Sequence, residues 1–331
     1  MDSAPIMLSD ADVAELLDLD AAIAAQRKAF EALGNGTAHL AEKVALPNPG
    51  DGSVTLCYLS RLSPAHGSVC KLVDVHPGNA ELGLPTVTAT VLVLDARTGQ
   101  LAAMLPAGEL TVLRTAAASA VAADALAGPD ADGLAVLGSG RQAMAHVRAL
   151  HRVRPLREVR IWSPDAGRRA AAASALAEEL GIGVAAAPTA AAAVAGAPLV
   201  ATCTLSEAPV LAASQLAPGA TVLSVGSFEP HRCEVGADVV RAARVVVDDV
   251  ATALRHAGPV MRGVADGTLD PAELVSLGDV LVGRAAGRSD PEQLVFYNSV
   301  GLGVQDAAAA LQVLAARAAS LGAGRETEGA Q

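Results

Sequence analysis

The sequence predicts an α/β protein: a doubly wound parallel sheet, preceded by a helix-then-sheet segment of α+β character. Three observations predict this. From Gly133 onward, short apolar runs (GLAVLG, EVRIWS, VAAA, PLVATC, TVLSVGS, RVVVDD) alternate with Ala-rich helical runs, the rhythm of parallel strands joined by crossover helices. Between Lys43 and about Leu105 the runs are β-branched and broken by Gly, Pro and Asp turns, which reads as a largely antiparallel sheet. The length, 331 residues, exceeds what one core usually supports, so two domains are expected.

In chain order, residues 9–33 read as two helical pieces, with Ser9 and Asp20 as N-caps and Gly34 as the stop. GSVTLCYLS, HGSVCKLVDVH, TVTATVLVLDARTG and QLAAML are the strands of the first sheet, and Asp95-Ala-Arg-Thr-Gly99 is a hairpin signal. Thr111 is expected to open an Ala-rich helix that ends near Gly128-Pro129. After the alternating region, the stretch from Pro271 reads as helical pieces. The last helix is expected from about Asn298 to Leu321, with GAGRETEGAQ as a frayed tail. The uncharged segment Ile182–Ser206 is long enough to span a bilayer by count. Its two prolines, two glycines and weakly apolar alanines fit a strand–helix–strand passage better.

Composition removes several function classes. The chain is 52% hydrophobic and 18% charged, so it should fold; only 2% is aromatic, so its core must rest on Val, Leu and Ala. A net charge of −11 argues against nucleic-acid or anionic-membrane partners, which need clustered Lys and Arg. Cys57, Cys70, Cys203 and Cys233 are scattered, without a C-x-x-C, and read as reduced thiols in a cytoplasm. The stretch MDSAPIMLSDAD carries neither a basic nor an apolar signal-peptide region. No Cys/His cluster suggests a metal.

The strongest local signal is LAVLGSGRQAMAHV. The strand LAVL is followed by Gly138, Gly140 and Ala143 in G-x-G-x-x-A spacing, and then by a helix. In a dinucleotide-binding turn the first Gly makes the tight bend, the second lets a pyrophosphate approach, and the third small residue lets helix and strand pack. The anion would sit at the helix N-terminus. The next strand ends in IWSPDAGRR. Ser163 stands where NAD sites usually carry an acid, with Arg168 and Arg169 beyond. A hydroxyl and a guanidinium suit a 2′-phosphate, so NADP(H) is expected over NAD(H), with Asp165 as the residue that could still serve NAD.

Other segments carry a resemblance. Val69-CKLVDVHPGN-Asn79 puts a Lys in mid-strand before His-Pro-Gly-Asn, and Leu110-TVLRTAAASA-Ala120 puts Arg-Thr near the start of an Ala-rich helix. With the glycine turn, VGSFEPHRCEV at 225–235 and SVGLGVQDAA at 299–308, the chain resembles the ornithine cyclodeaminase/mu-crystallin family from about residue 5 to about residue 320. The resemblance implies a discontinuous substrate-binding and dimerisation domain (1–127 and 304–331) and a Rossmann domain (128–303), in a homodimer. It implies Lys71 as the active-site lysine and Arg114 as the grip on a substrate carboxylate. Lys43 stands where relatives often carry a second carboxylate-binding Arg, which keeps the charge and loses the fork. The implied cofactor residues are Thr115, Gly138, Ser139, Gly140, Arg141, Gln142, Ala143, Ser163, Arg168, Thr202, Val225, Gly226 and Ser299. From the residues alone, Lys71 could also be an edge lysine reaching water and Arg114 a surface ion pair. His76 is given no chemistry.

One departure points to the reaction. Cyclodeaminases carry an acid just after the Gly of the fifth Rossmann strand, in a G-G-D or G-A-D context. Here the run is Val225-Gly226-Ser227-Phe228-Glu229-Pro230, so Phe228, which cannot relay a proton, takes that place, and Glu229 reads as a solvated loop carboxylate. Loss of the acid undermines ornithine deamination and leaves imine reduction possible. The GSF-x-P variant resembles the family's ketimine-reductase branch, and that resemblance implies a ketimine reductase acting on a small cyclic imino acid such as Δ1-pyrroline-2-carboxylate or Δ1-piperideine-2-carboxylate. A cyclodeaminase, an open-chain alanine-type dehydrogenase and a crystallin-like binder are the alternatives.

Overall fold

In a computed structural model of the chain, residues 4–328 are described, 322–328 as backbone alone. The elements run β1 (Ile6–Met7), α1 (Asp10–Leu16), α2 (Leu19–Gly34), β2 (His39–Leu40), β3 (Val44–Pro47), β4 (Val54–Arg61), β5 (Val69–Val75), β6 (Val87–Leu94), β7 (Leu101–Pro106) and α3 (Gly108–Leu126). Then come β8 (Gly133–Leu137), α4 (Arg141–Val153), β9 (Glu158–Trp162), α5 (Ala166–Leu180), β10 (Gly183–Ala186), α6 (Ala190–Val194), β11 (Leu199–Thr202) and β12 (Thr221–Ser224). The chain ends with α7 (Ala237–Ala242), β13 (Arg244–Val247), α8 (Val250–His256), α9 (Gly258–Ala265), β14 (Val275–Ser276), α10 (Leu277–Leu281), β15 (Val295–Asn298) and α11 (Gly303–Glu328). It divides into two compact units, Met1–Arg114 with Leu302–Gln331, and Thr115–Gly301. The expected joins, at 127/128 and 303/304, fall at Gly and Pro breaks. Packing places its divisions inside α3 and just before α11.

In the first unit the sheet order is β1-β7-β6-β5-β4-β2, with β3 also on β4. Every pair is antiparallel except β1 with β7. Asp95 closes the β6–β7 hairpin, its carboxylate accepting from the amides of Arg97 and Thr98. Ser9 caps α1 in a reciprocal box with Asp12. The cap of α2 is Asp18 rather than Asp20: its carboxylate accepts from Ala21 N at 2.7 Å, so the helix begins earlier. Helix α11 lies on α2 and across β4, β5 and β6. The buried alanines 307–310 let it approach closely. By register, Val44, Leu46, Leu59 and Leu72 share the sheet's other face, where all four are exposed. Cys57 and Cys70 also lie there with Sγ atoms 3.5 Å apart, unlinked.

In the second unit eight parallel strands run β10-β9-β8-β11-β12-β15-β13-β14. β8, β11, β12 and β15 are buried at every residue, as a sheet covered on both faces requires. Strand order reverses between β8 and β11, the topological switch point at which such sheets bind ligands. The stretch Ile182–Ser206 is β10, α6 and β11, and no helix among the described residues is long and apolar enough to cross a membrane.

Three further expectations need correction. Val295–Asn298 is a strand inserted between β12 and β13, not part of a helical stretch. Four residues of VFYN carry no period of their own, and only pairing with distant strands makes them β. The last helix accordingly starts at Gly303 and runs through Glu328, so 322–328 is helical rather than frayed; residues 329–331 lie outside the described part. Helix α3 starts at Gly108, three residues before Thr111.

Candidate active site

The first unit holds a buried charge triad. Lys71 is the third residue of β5, an interior strand, facing Tyr58 of β4 and Val91 of β6. It is therefore not an edge lysine, and it is only 3% exposed. Its Nζ lies 2.9 and 2.8 Å from the two carboxylate oxygens of Asp306 and 4.7 Å from the centre of the Tyr58 ring. Arg114, 6% exposed, donates from Nε to Asp306 Oδ1 at 3.0 Å, so it is not a surface ion pair. It is the seventh residue of α3, past the first turn, and its counter-charge comes from the chain itself.

Asp306, 1% exposed, is the fourth residue of α11, where the helix dipole favours an anion. Gln305 beside it receives the Leu302 amide on Oε1, and its carbonyl accepts from Gln26 of α2. These bonds fix the start of α11 and so the carboxylate. Two cations share one anion, which leaves a net +1 in a buried place. Burial draws the Lys71 amine down to about 8; Asp306 opposes that shift and Arg114 adds to it. Lys71 is therefore poised to hold or release a proton near neutrality, and the surplus charge invites an anionic ligand. Lys43 is half-buried and directly precedes Val44, whose partner in β4 is Cys57, one residue before Tyr58. His76 binds the Asp74 carboxylate at 2.7 Å and is half-exposed.

Asp306 was missed in the sequence although its segment was singled out. The available signal was a lone acid in an otherwise uncharged run, GVQDAAAALQVLAA.

The second unit holds the glycine turn at the carboxyl end of β8. Gly138 has φ +131°, and a Cβ there would lie 2.6 Å from the carbonyl oxygen of Cys203 after β11, so only glycine fits. Gly140 is the N-cap of α4 without a side-chain cap, and a Cβ on it would meet nothing within 4 Å. The 13-residue helix thus presents its first amides to open space, which suits a pyrophosphate. Arg141 and Gln142 form its first turn, exposed and half-buried, and Ala143 is buried against the unit's interior. Ser139 and Ser163 are joined through their hydroxyls at 2.9 Å, which ties the turn to the end of β9. Thr115 is half-buried, one residue after Arg114.

Beyond β9, Asp165 caps α5 by accepting from the Arg168 amide at 2.9 Å. The Arg168 side chain is exposed, while Arg169 donates to the Ser163 carbonyl at 2.8 Å.

A carboxylate that the sequence did not suggest organises the ends of β11 and β12. Glu234, fully buried, accepts from the hydroxyls of Thr202, Thr204 and Ser224 and from the amides of Thr204 and Gly226. Gly226 is required there, since a Cβ would come within 2 Å of the Thr204 carbonyl oxygen. Val225 donates its amide to the Thr202 carbonyl, and Ser299 bonds Asp248 and Ser224. Phe228 lies 5.1 Å from the Arg232 guanidinium, and Glu229 bonds that guanidinium at 2.6 Å. Glu229 is therefore a paired carboxylate, not a solvated one, because Arg232 follows it by one helical-type turn. The residues at the carboxyl edge of this sheet fit a dinucleotide. Among the described residues no group of three or more metal-ligating side chains could hold a metal ion.

The chain matches the ornithine cyclodeaminase/mu-crystallin family over residues 3–320. It is 34% identical to the Δ(1)-pyrroline-2-carboxylate reductase 1 of Burkholderia multivorans over 82% of this chain and 84% of that one. Among solved structures, the Thermococcus litoralis Δ(1)-pyrroline-2-carboxylate reductase in complex with NADH and L-proline superposes with a TM-score of 0.89 at 26% identity, covering 94% of this chain and 97% of that one. An archaeal alanine dehydrogenase dimer with bound NAD gives 0.90 at 29%, covering 96% and 97%.

Proposed function

The chain belongs to the ornithine cyclodeaminase/mu-crystallin family, and from that premise we propose that it is an NAD(P)-dependent oxidoreductase for imino acids. Its substrate in this reading is a small cyclic ketimine such as Δ1-pyrroline-2-carboxylate or Δ1-piperideine-2-carboxylate, reduced to the L-amino acid. The observation that carries the reading is the buried Lys71–Asp306–Arg114 triad with its surplus positive charge. Arg114 gives its Nε to Asp306 Oδ1 and its Nη1 to Gln305 Oε1 at 3.5 Å, and in this reading the guanidinium so held grips the substrate carboxylate. Lys43 adds a second cation. Lys71 holds the proton on the imine nitrogen, which keeps the carbon electrophilic. Asp306 orients both cations. The nicotinamide, when bound, supplies the hydride, and the protein contributes alignment. Phe228, set against Arg232, offers no proton relay for deamination, and this favours reduction.

For the cofactor, NADP(H) is favoured over NAD(H). Asp165 is engaged in capping α5, Arg169 donates to the Ser163 carbonyl, and Arg168 is exposed in the first turn of α5; a hydroxyl and guanidinium groups after β9 suit a 2′-phosphate. Arg168→Ala should raise KM for NADPH about tenfold or more and leave NADH unchanged, a charged hydrogen bond being worth about 1.5–3 kcal/mol. An equal effect on both nucleotides would remove Arg168 from 2′-phosphate recognition.

For assembly, the exposed apolar face bearing Val44, Leu46, Leu59 and Leu72 is suited to a second copy of this chain. An apolar sheet face of this kind is rarely left to water, and the archaeal alanine dehydrogenase is a dimer.

The deciding experiment follows NADPH and NADH oxidation with the two cyclic ketimines, with an open-chain 2-oxo acid plus ammonia, and ammonia release from ornithine. Turnover of a ketimine supports the proposal. Preference for the 2-oxo acid would replace it with an alanine-type dehydrogenase. Ammonia from ornithine without net redox would replace it with a cyclodeaminase, and ligand retention without turnover with a binding protein.

A further inference from the structure

A second buried carboxylate sits at the carboxyl edge of the parallel sheet, and it is outside the machinery assigned so far. Asp248 directly follows β13 and is 1% exposed. Its Oδ2 accepts from the Val300 amide at 2.8 Å, the Gly301 amide at 2.9 Å and the Ser299 hydroxyl at 3.2 Å; its Oδ1 accepts from the Asp249 amide at 3.0 Å. One oxygen atom thus gathers three donors of the short turn that leaves β15. The turn is also tied to β12 through the Ser299 amide and the Ser224 carbonyl. Gly301 closes it at φ +80°, a left-handed conformation that favours glycine.

The position of this turn gives the carboxylate a role. In a doubly wound sheet the pyrophosphate sits at the glycine turn and the adenosine half follows the strand beside it, here β9. The other half of a dinucleotide then extends the opposite way, over the ends of β11, β12 and β15. Ser299–Gly301 directly follows the carboxyl end of β15. Without Asp248, three donors of the turn would lose their common acceptor, and a turn that loses such bonds loses its shape. The carboxylate is held by amides and a hydroxyl, so its charge is stabilised by dipoles and not cancelled by a cation within those contacts. Burial raises its pKa to about 6, against the opposing effect of the hydrogen bonds, which leaves it an anion at neutral pH.

We propose that Asp248 is a positioning residue for the nicotinamide half of the cofactor: it shapes the Ser299–Gly301 turn, and its buried charge favours the oxidised, cationic ring over the reduced, neutral one. The inference rests on the nicotinamide reading above and adds to it a residue and a preference between redox forms. A buried anion lowers the free energy of a nearby cation, so the residue aids loss of hydride from the reduced cofactor.

The test is equilibrium binding, followed by fluorescence or calorimetry, of three ligands: NADP+, NADPH and 2′-phospho-ADP-ribose, which lacks the nicotinamide. Asp248→Asn should weaken NADP+ by about tenfold or more, as expected for loss of charge-assisted bonds and of the anion. NADPH should weaken less, and 2′-phospho-ADP-ribose should be unchanged. Equal weakening of all three would make Asp248 a general structural residue and overturn the proposal, as would unchanged binding of all three. If Asp248→Asn does not fold, Ser299→Ala removes one of the three donors and keeps the carboxylate. It should weaken both dinucleotides and spare the fragment, and loss of fragment binding in that variant would overturn the proposal. If the unsubstituted chain bound none of the three ligands and neither NAD+ nor NADH, the nicotinamide reading itself would fall and take this inference with it.

Discussion

Lys71→Met separates catalysis from stability. The substitution keeps the length of the side chain and removes its charge. In the folded chain the amine titrates at about 8 instead of 10.5, and one unit of pKa corresponds to about 1.4 kcal/mol, so folding costs about 3 kcal/mol at pH 7 to carry the protonated amine. Methionine does not carry that cost, and Asp306 keeps Arg114 as its counter-ion. The variant should therefore be as stable as the parent or more stable, by at most about 3 kcal/mol. The sign with pH follows from linkage. Between pH 8 and 10.5 the unfolded chain binds the lysine proton and the folded chain does not, so parental stability rises across that window. The gap between variant and parent should close over the same window. Urea unfolding of both proteins at pH 7 and pH 10 measures it. Imine reduction should fall by about 100-fold or more, the usual worth of a placed general acid, with nucleotide binding retained. In the parent, reduction should decline above pH 8 as Lys71 loses its proton. A variant less stable than the parent at pH 7, a gap indifferent to pH, or activity within a few-fold of the parent would refute this account of Lys71.

Asp306→Asn leaves Lys71 and Arg114 as two buried cations without their anion. Stability should drop by about 3–5 kcal/mol, as when one partner of a buried pair is removed. Because Asp306 raises the Lys71 pKa, any residual reduction should fail at lower pH than in the parent; calorimetry and a pH–rate profile read the two effects. Gly138→Ala forces a side chain into the left-handed region and against the Cys203 carbonyl. A loss of about 1–3 kcal/mol of stability and weaker dinucleotide binding should follow, visible by thermal melt and titration, and an unchanged melt would show that the turn yields. Leu72→Lys places a charge on the exposed apolar sheet face and should shift the chain to monomers in analytical ultracentrifugation; a parent already monomeric at micromolar concentration would sink the second-copy reading.

Much of the architecture was legible because its signals are local. The alternation after Gly133 marks six of the eight strands of the parallel sheet, and the Asp95–Gly99 turn marks the β6–β7 hairpin. The glycine spacing at 138, 140 and 143 marks a turn whose backbone demands are met within a few residues. Features fixed by distant partners were not legible. Val295–Asn298 is a strand only because β12 and β13 flank it. Asp18 rather than Asp20 caps α2, since the Asp18 carboxylate meets the Ala21 amide. Glu234 and Asp248 look like ordinary acids in the sequence, and each becomes a hub only when separate strand ends converge on it.

The sequence by itself determined the two kinds of sheet, the nucleotide-type turn, the family resemblance and the candidacy of Lys71 and Arg114, because periodicity, glycine spacing and residue type are properties of neighbours in the chain. The tertiary structure alone decided that these two cations share Asp306, 235 and 192 residues away, that the lysine is buried enough to titrate near neutrality, and that one sheet face is left apolar and exposed. Charge compensation and burial depend on which groups meet in space, and a one-dimensional pattern does not contain those meetings until the chain has folded.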